Sequence, residues 1–288
     1  MAKSPVGGSR AYLKGRIGSD VYTLGKDGKG KTQQVVRSLA EEVANPRTSS
    51  QMFGRMVMTT VMQAAKALNP IIDHSFDGFP IGQPSISQFI KTNYALVAAD
   101  AKSNPGQSNA FGLNKYQEKG MKGGSWIVSN GTVHKPEGLS AAPTYIELED
   151  LTGVHTLAAF KAACGMKGDA FATGVWVLTN GSAAYVRVRF SSTMADDTVI
   201  TADNVATALV LEGNAVATVS FASDSIKVTL DGVASTLSRC VILSQKHSGQ
   251  WKHSRAKMSV SSTPTWNSNT ALPTYPVGSE QFLNGGDL

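Results

Sequence analysis

VWVLTNGSAAYVRVRF, residues 175–190, carries the fold signal from which the rest of the chain is read. Two runs rich in Val, Trp and Tyr flank Asn180-Gly181, a dipeptide suited to the left-handed backbone of a tight turn. The stretch predicts an antiparallel hairpin. Period-two patterning extends around it from about residue 121 onward. SWIVSNGTVHK (125–135) places Asn130-Gly131 between alternating segments and predicts another hairpin. TYIELED (144–150), NAVATVSFASDSIKVTLDGVAS (214–235) and RCVILSQKHSGQWKHSRAKMSV (239–260) supply further strands, with Asp231-Gly232 and Ser248-Gly249 at turns. One helix interrupts them: HTLAAFKAACG (155–165), capped by Thr156 and closed by Gly165. Short strands at regular turns indicate a β-sandwich or barrel over 105–262.

Upstream the period changes. NPRTSSQMFGRMVMTTVMQAAKAL (45–68) predicts a helix that starts at Thr48 or Ser49 and stops at Asn69-Pro70. Met52, Met56, Met58 and Met62 lie on it, with apolar residues on two sides. Such a helix is buried between layers or against another subunit, and Met58 and Met62, one turn apart, are expected to be buried together. A second helix runs from Pro84 to about Lys102 with a stripe of Ile86, Phe89, Ile90, Leu96 and Val97. IIDHSFDGFPIGQ (71–83) joins the two as an antiparallel pair. Its DHSFDG segment reads as a connecting loop rather than an acid/base pair.

The two ends are different. Residues 1–15 lack apolar periodicity and read as a basic arm. GRIGSDVYTLG, KDGKGK and TQQVVRS then form a hairpin about Asp27-Gly28. Through Arg47 there are nine Lys or Arg against four acids, five of the net charge of +6. Residues 263–288 contain Pro264, Pro273 and Pro276 and read as an extended tail, with Trp266, Tyr275 and Phe282 as apolar anchors. The expected organisation is therefore 1–47 arm and hairpin, 48–104 helical pair, 105–262 sandwich and 263–288 tail.

Composition narrows the function. Charged residues make up 17% of the 288, below the roughly 25% of ordinary soluble domains, while 41% are hydrophobic. Disorder throughout is excluded by that hydrophobicity. No apolar run approaches a membrane span, and MAKSPVGGSRAYLKGR has no apolar core of a secretory signal. Cys164 and Cys240 lack ligand spacing and read as buried thiols.

One motif misleads. GKDGKGKT (25–32) fits the phosphate-binding loop, in which Lys31 would reach phosphates and Thr32 would hold Mg²⁺. VYTL before it alternates with polar residues, whereas a strand of that fold is buried on both faces. A hairpin tip is the better reading. The five histidines show no metal-ligand spacing. No catalytic, cofactor or metal site is expected. KHSGQWKHSRAK (246–257) is the one basic-aromatic cluster, but alternation divides its charges between two faces. With Lys26, Lys29 and Lys31, its Lys246, Trp251, Lys252 and Arg255 are the candidate contacts for a polyanion such as single-stranded nucleic acid.

GRIGSDVY (15–22), VVRS (35–38), NPRTSSQMFGR (45–55) and FIKTNYAL (89–96) together resemble a family of uncharacterised proteins found widely in Bacteroidota genomes, their prophages and phages. The resemblance spans residues 14–103 and, more loosely, 171–260. It implies an α+β chain: arm and β-hairpin, helical pair, then a C-terminal antiparallel Ig-like β-sandwich. The family is similar in layout to phage virion proteins, and no catalytic residue comes with it. The expectation is a structural virion protein, homo-oligomeric and bound to other particle proteins, with no membrane partner. Its interface candidates are Met52, Met56, Met58, Met62, Trp266, Tyr275 and Phe282. The alternatives are a single-stranded nucleic-acid binder and a carbohydrate or surface-adhesion module, with Trp126, Trp176, Trp251 and Trp266 as stacking rings.

Overall fold

A computed structural model of the protein describes residues 15–17, 20–26, 32–38, 49–103, 111–113, 116 and 118–261. The chain divides into two compact units, 1–46 and 47–288. The arm, Lys29, Lys31 and the anchors Trp266, Tyr275 and Phe282 lie outside the described residues.

In the first unit, β1 (Gly15–Ile17), β2 (Asp20–Lys26) and β3 (Thr32–Ser38) form an antiparallel sheet in that order. Gly25 pairs with Gln33 and Lys26 with Thr32. A phosphate-binding loop needs a helix to begin where a strand begins here, so GKDGKGKT spans a hairpin.

The second unit opens with α1 (Ser49–Ile72) and α2 (Gln83–Ser103). They are antiparallel: the Ser85 hydroxyl at the start of α2 donates to the Ile72 carbonyl at the end of α1, 2.6 Å away. The strands and short helices that follow are β4 (Ile127–Ser129), β5 (Leu139–Ala141), β6 (Tyr145–Glu149), α3 (Leu157–Ala163), β7 (Phe171–Leu178), β8 (Ala183–Phe190), α4 (Val205–Ala208), β9 (Leu209–Gly213), β10 (Ala217–Ala222), β11 (Ser225–Leu230), β12 (Thr236–His247), β13 (Gln250–His253), β14 (Ala256–Lys257) and β15 (Ser259–Val260). A larger sheet has the order β13-β12-β7-β8-β9, with β15 also on β12; a four-stranded sheet has the order β10-β11-β6-β5. The fold is α+β with a β-rich C-terminal region.

Alternation along β7 and β12 explains the layering. Val175, Val177, Cys240 and Ile242 face the helices, while Trp176, Val241 and Leu243 face the four-stranded sheet. The larger sheet is thus buried on both faces at its centre. Gly174 leaves room there: a Cβ on it would lie 2.4 Å from the Trp176 ring. The Trp176 indole donates to the Ala142 carbonyl at 3.0 Å, and Trp126 donates to the Lys122 carbonyl at 2.9 Å. Both rings are buried, which removes them from any stacking surface.

Three expectations require correction. Helix α1 does not stop at Leu68 but continues through Pro70 to Ile72. Pro70 and Lys66, whose carbonyl loses its intrahelical donor, are exposed, so the lost bond lies on the solvent side, and buried Ile71 and Ile72 anchor the final turn. Asn130-Gly131 is not a hairpin. β4 pairs with β14, and Val133 forms a parallel bridge with Ser254. Gly131 meets a distant strand instead, where a Cβ would lie 2.1 Å from the His253 carbonyl oxygen. Finally, Met58 and Met62 are not buried. Met52 and Met56 are 1% exposed, but Met58 and Met62 are 43% and 48% exposed. Positions 53, 56, 57, 60, 61 and 64 face the core, and 58 and 62 fall on the opposite side of the helix.

Candidate interaction surfaces

The exposed side of α1 forms a groove of about 1020 Å³ lined by Gly54, Arg55, Met58, Met62, Lys66 and Tyr94, among others. Gly54 opens it, because the nearest heavy atom to a Cβ there would be the Tyr94 hydroxyl at 3.5 Å. No carboxylate lines it. Its floor is thioether and aromatic carbon, and its rim is cationic. Such a surface buries apolar side chains of a partner and favours an acidic one.

A second concavity, about 910 Å³, lies between the α1–α2 connection and the helix-facing side of the larger sheet. The connection contributes Asp73, His74 and Asp77, and the sheet contributes Phe171, Arg187, Trp251 and His253. Serines fasten the connection in place. Ser75 donates to the Val128 carbonyl at 2.6 Å, and Ser129 donates to the Ser75 carbonyl at 2.9 Å. The Asp77 carboxylate accepts from the backbone N–H of His253 at 3.2 Å and of Thr132 at 3.2 Å.

The polar groups form two separate sets. His74 Nδ1 is bonded to the Asp73 carboxylate, and Nε2 lies 3.3 Å from the Arg187 guanidinium, which can only donate. His253 Nδ1 lies 2.9 Å from the Ser244 hydroxyl. Burial pulls the His253 pKa down to about 4, so this ring is neutral near pH 7. Both nitrogens of His74 are engaged, and neither imidazole faces a hydroxyl that is also open to the cleft. The Asp73–Asp77 pair likewise divides: one carboxylate orients His74, and the other holds strand backbone.

Cation placement decides the polyanion candidates. In the β12–β13 register Lys246 faces Trp251, and Gln245 faces Lys252. Neighbouring pairs point to opposite faces, so Lys246 and Lys252 do not share a surface. Lys246 lies 4.0 Å from Asp169. Arg255 is exposed beyond the hairpin. Lys26 ends β2 in the other unit. The candidates are not brought together within the second unit. Trp251 remains, 43% exposed, with its ring 5.0 Å from that of Phe171.

Arg187 is the residue that sequence reading misses. It stacks on Phe171 at 5.7 Å and Tyr185 at 5.8 Å. The available signal was alternation in VRVRF, which puts Arg187 and Arg189 on one face. Asn93 on α2 is structural: its amide donates to the Ile127 carbonyl and accepts from the Ile127 N–H, both at 2.9 Å. Burial pushes both cysteine thiols up to about 12, so neither is a ready nucleophile. Among the described residues no helix is long and apolar enough to cross a membrane, and no three acidic, His or Cys side chains group as a metal site. A scan of family models, a search of curated proteins and a search of solved structures each found no match for this chain.

Proposed function

We propose that the chain is a non-enzymatic structural protein of a phage or phage-like particle, located in the virion, that self-assembles and binds other particle proteins. The observation that carries this reading is the open groove beside Met58 and Met62, on a helix whose other side is fully committed to the core. Its occupant is residues 263–288 of a neighbouring copy. That segment contains Trp266, Tyr275 and Phe282 with Glu280 and Asp287, and no Lys or Arg. The groove offers apolar carbon between Arg55 and Lys66. Large aromatic anchors in apolar grooves dominate binding energies. The 27 residues after Ser261 reach up to roughly 90 Å when extended, which suffices to bridge copies.

Size-exclusion chromatography with light scattering tests the reading. The full chain is expected to be multimeric, and the chain lacking 263–288 is expected to be a folded monomer. A monomeric full chain at the highest attainable concentration would overturn it. A second reading, surface adhesion, is favoured by one observation, the exposed Trp251 ring at the mouth of a cleft. Nucleic-acid binding loses support from the division of Lys246 and Lys252 between faces.

A further inference from the structure

Arg187 stands at the junction of two hollows. It lines the 910 Å³ cleft and also an adjoining hollow of about 300 Å³, and Phe171 and Trp251 line both. Its side chain is half-buried. Arg189 on the same strand pairs with Glu212, and Lys161 pairs with Asp196 at 2.6 Å. Arg187 has no carboxylate partner among the described residues. Of its five N–H donors, one bonds His74 Nε2, and Nε is buried without a partner. Its stacked rings hold the guanidinium plane in place, so little freedom remains to be lost on binding. Four acids line the two hollows, and each has a partner: Asp73 is engaged by His74, Asp77 by backbone N–H groups and Glu212 by Arg189, while Asp169 lies 4.0 Å from Lys246.

We infer that this cleft binds a carboxylated saccharide, with the guanidinium of Arg187 on the carboxylate and the Trp251 ring beneath the sugar. The inference rests on the adhesion reading and is independent of assembly through α1. An arginine takes a carboxylate in a two-pronged contact that a neutral sugar does not provide. The C–H face of a pyranose packs on an exposed indole, and the polar edge of the ring remains in water. Gln250 and Lys252 border the cleft through the strand that carries Trp251. Two hollows in sequence, one on each side of Arg187, suit adjacent rings of an oligosaccharide.

The test is calorimetry on the full chain with oligogalacturonate, hyaluronan oligosaccharides and sialyllactose, beside methyl-esterified oligogalacturonate and a peptide ending in Trp-Phe-carboxylate. At least one acidic saccharide is expected to bind. Esterification of its carboxylate, Arg187→Gln and Trp251→Ala are each expected to weaken it tenfold or more. Trp251 is exposed, so Trp251→Ala keeps the test valid should Arg187→Gln destabilise the fold. The light-scattering mass is expected to be the same in both variants, which separates this inference from the assembly reading. The inference is overturned if no acidic saccharide binds at millimolar concentration, if the ester binds as well as the acid, or if the peptide alone binds.

Discussion

Helix α1 sets two pairs of methionines against each other. Met52 and Met56, one turn apart, are buried, and Met56 belongs to the core that α1 shares with α2 and the larger sheet. Met58 and Met62, also one turn apart, line an open groove. Residue type, helix and spacing are the same, and only the phase relative to the neighbouring layers differs. Methionine content therefore identifies a helix with two apolar surfaces but does not say which the chain covers itself. The buried pair stabilises the fold, whereas the exposed pair is available to another chain.

The largest expected effect lies on the buried side. Met56→Ala should cost about 2–5 kcal/mol, because the surrounding core closes only partly over the lost volume. Urea denaturation measures it, and a loss like that of an exposed residue would erase the contrast. Gly131→Ala should follow at about 1–3 kcal/mol, since the added carbon meets the His253 carbonyl and one backbone must move. An unchanged midpoint would mean that this close approach does not hold the α1–α2 connection to the strands.

The third effect depends on pH. His253 is pulled from its usual 6.5 to about 4 by burial, so the unfolded chain binds the proton more tightly. Stability is therefore full above pH 6.5 and is lost as pH falls from 6.5 to about 4, by up to about 1.4 kcal/mol per pH unit. His253→Gln should flatten that part of the profile, which distinguishes it from acid loss at carboxylates. The smallest expected effect closes the comparison. Met58→Ala and Met62→Ala should each change monomer stability by less than about 0.5 kcal/mol. A larger loss in a monomeric sample would place that side in the chain's own core.

Local signals were legible where the chain's neighbours agreed with them. The β7–β8 and β12–β13 hairpins form where Asn180-Gly181 and Ser248-Gly249 predict them. Thr156 caps α3, accepting from the Ala159 N–H at 3.3 Å. Asn130-Gly131 carries the same turn signal, but long-range pairing overrides it. Strands β4 and β14 claim the flanking residues, and turn propensity is too weak to compete. Strand β9 (Leu209–Gly213) escaped because no turn dipeptide marks it. The cleft was the least legible feature. Its parts were visible separately as DHSFDG and KHSGQWKH. What joins them is contact between positions 113 apart for His74 and Arg187, and 176 apart for Asp77 and His253. Nothing in local patterning encodes such separations.

Self-assembly requires that a second copy occupy the exposed side of α1. A photo-crosslinking residue at position 62, in a mixture of isotope-labelled and unlabelled full chains, reads the occupant directly by mass spectrometry. The predicted product joins position 62 of one copy to residues 263–288 of another, with mixed labels. Crosslinks confined to a single copy, or to any other segment, would contradict it.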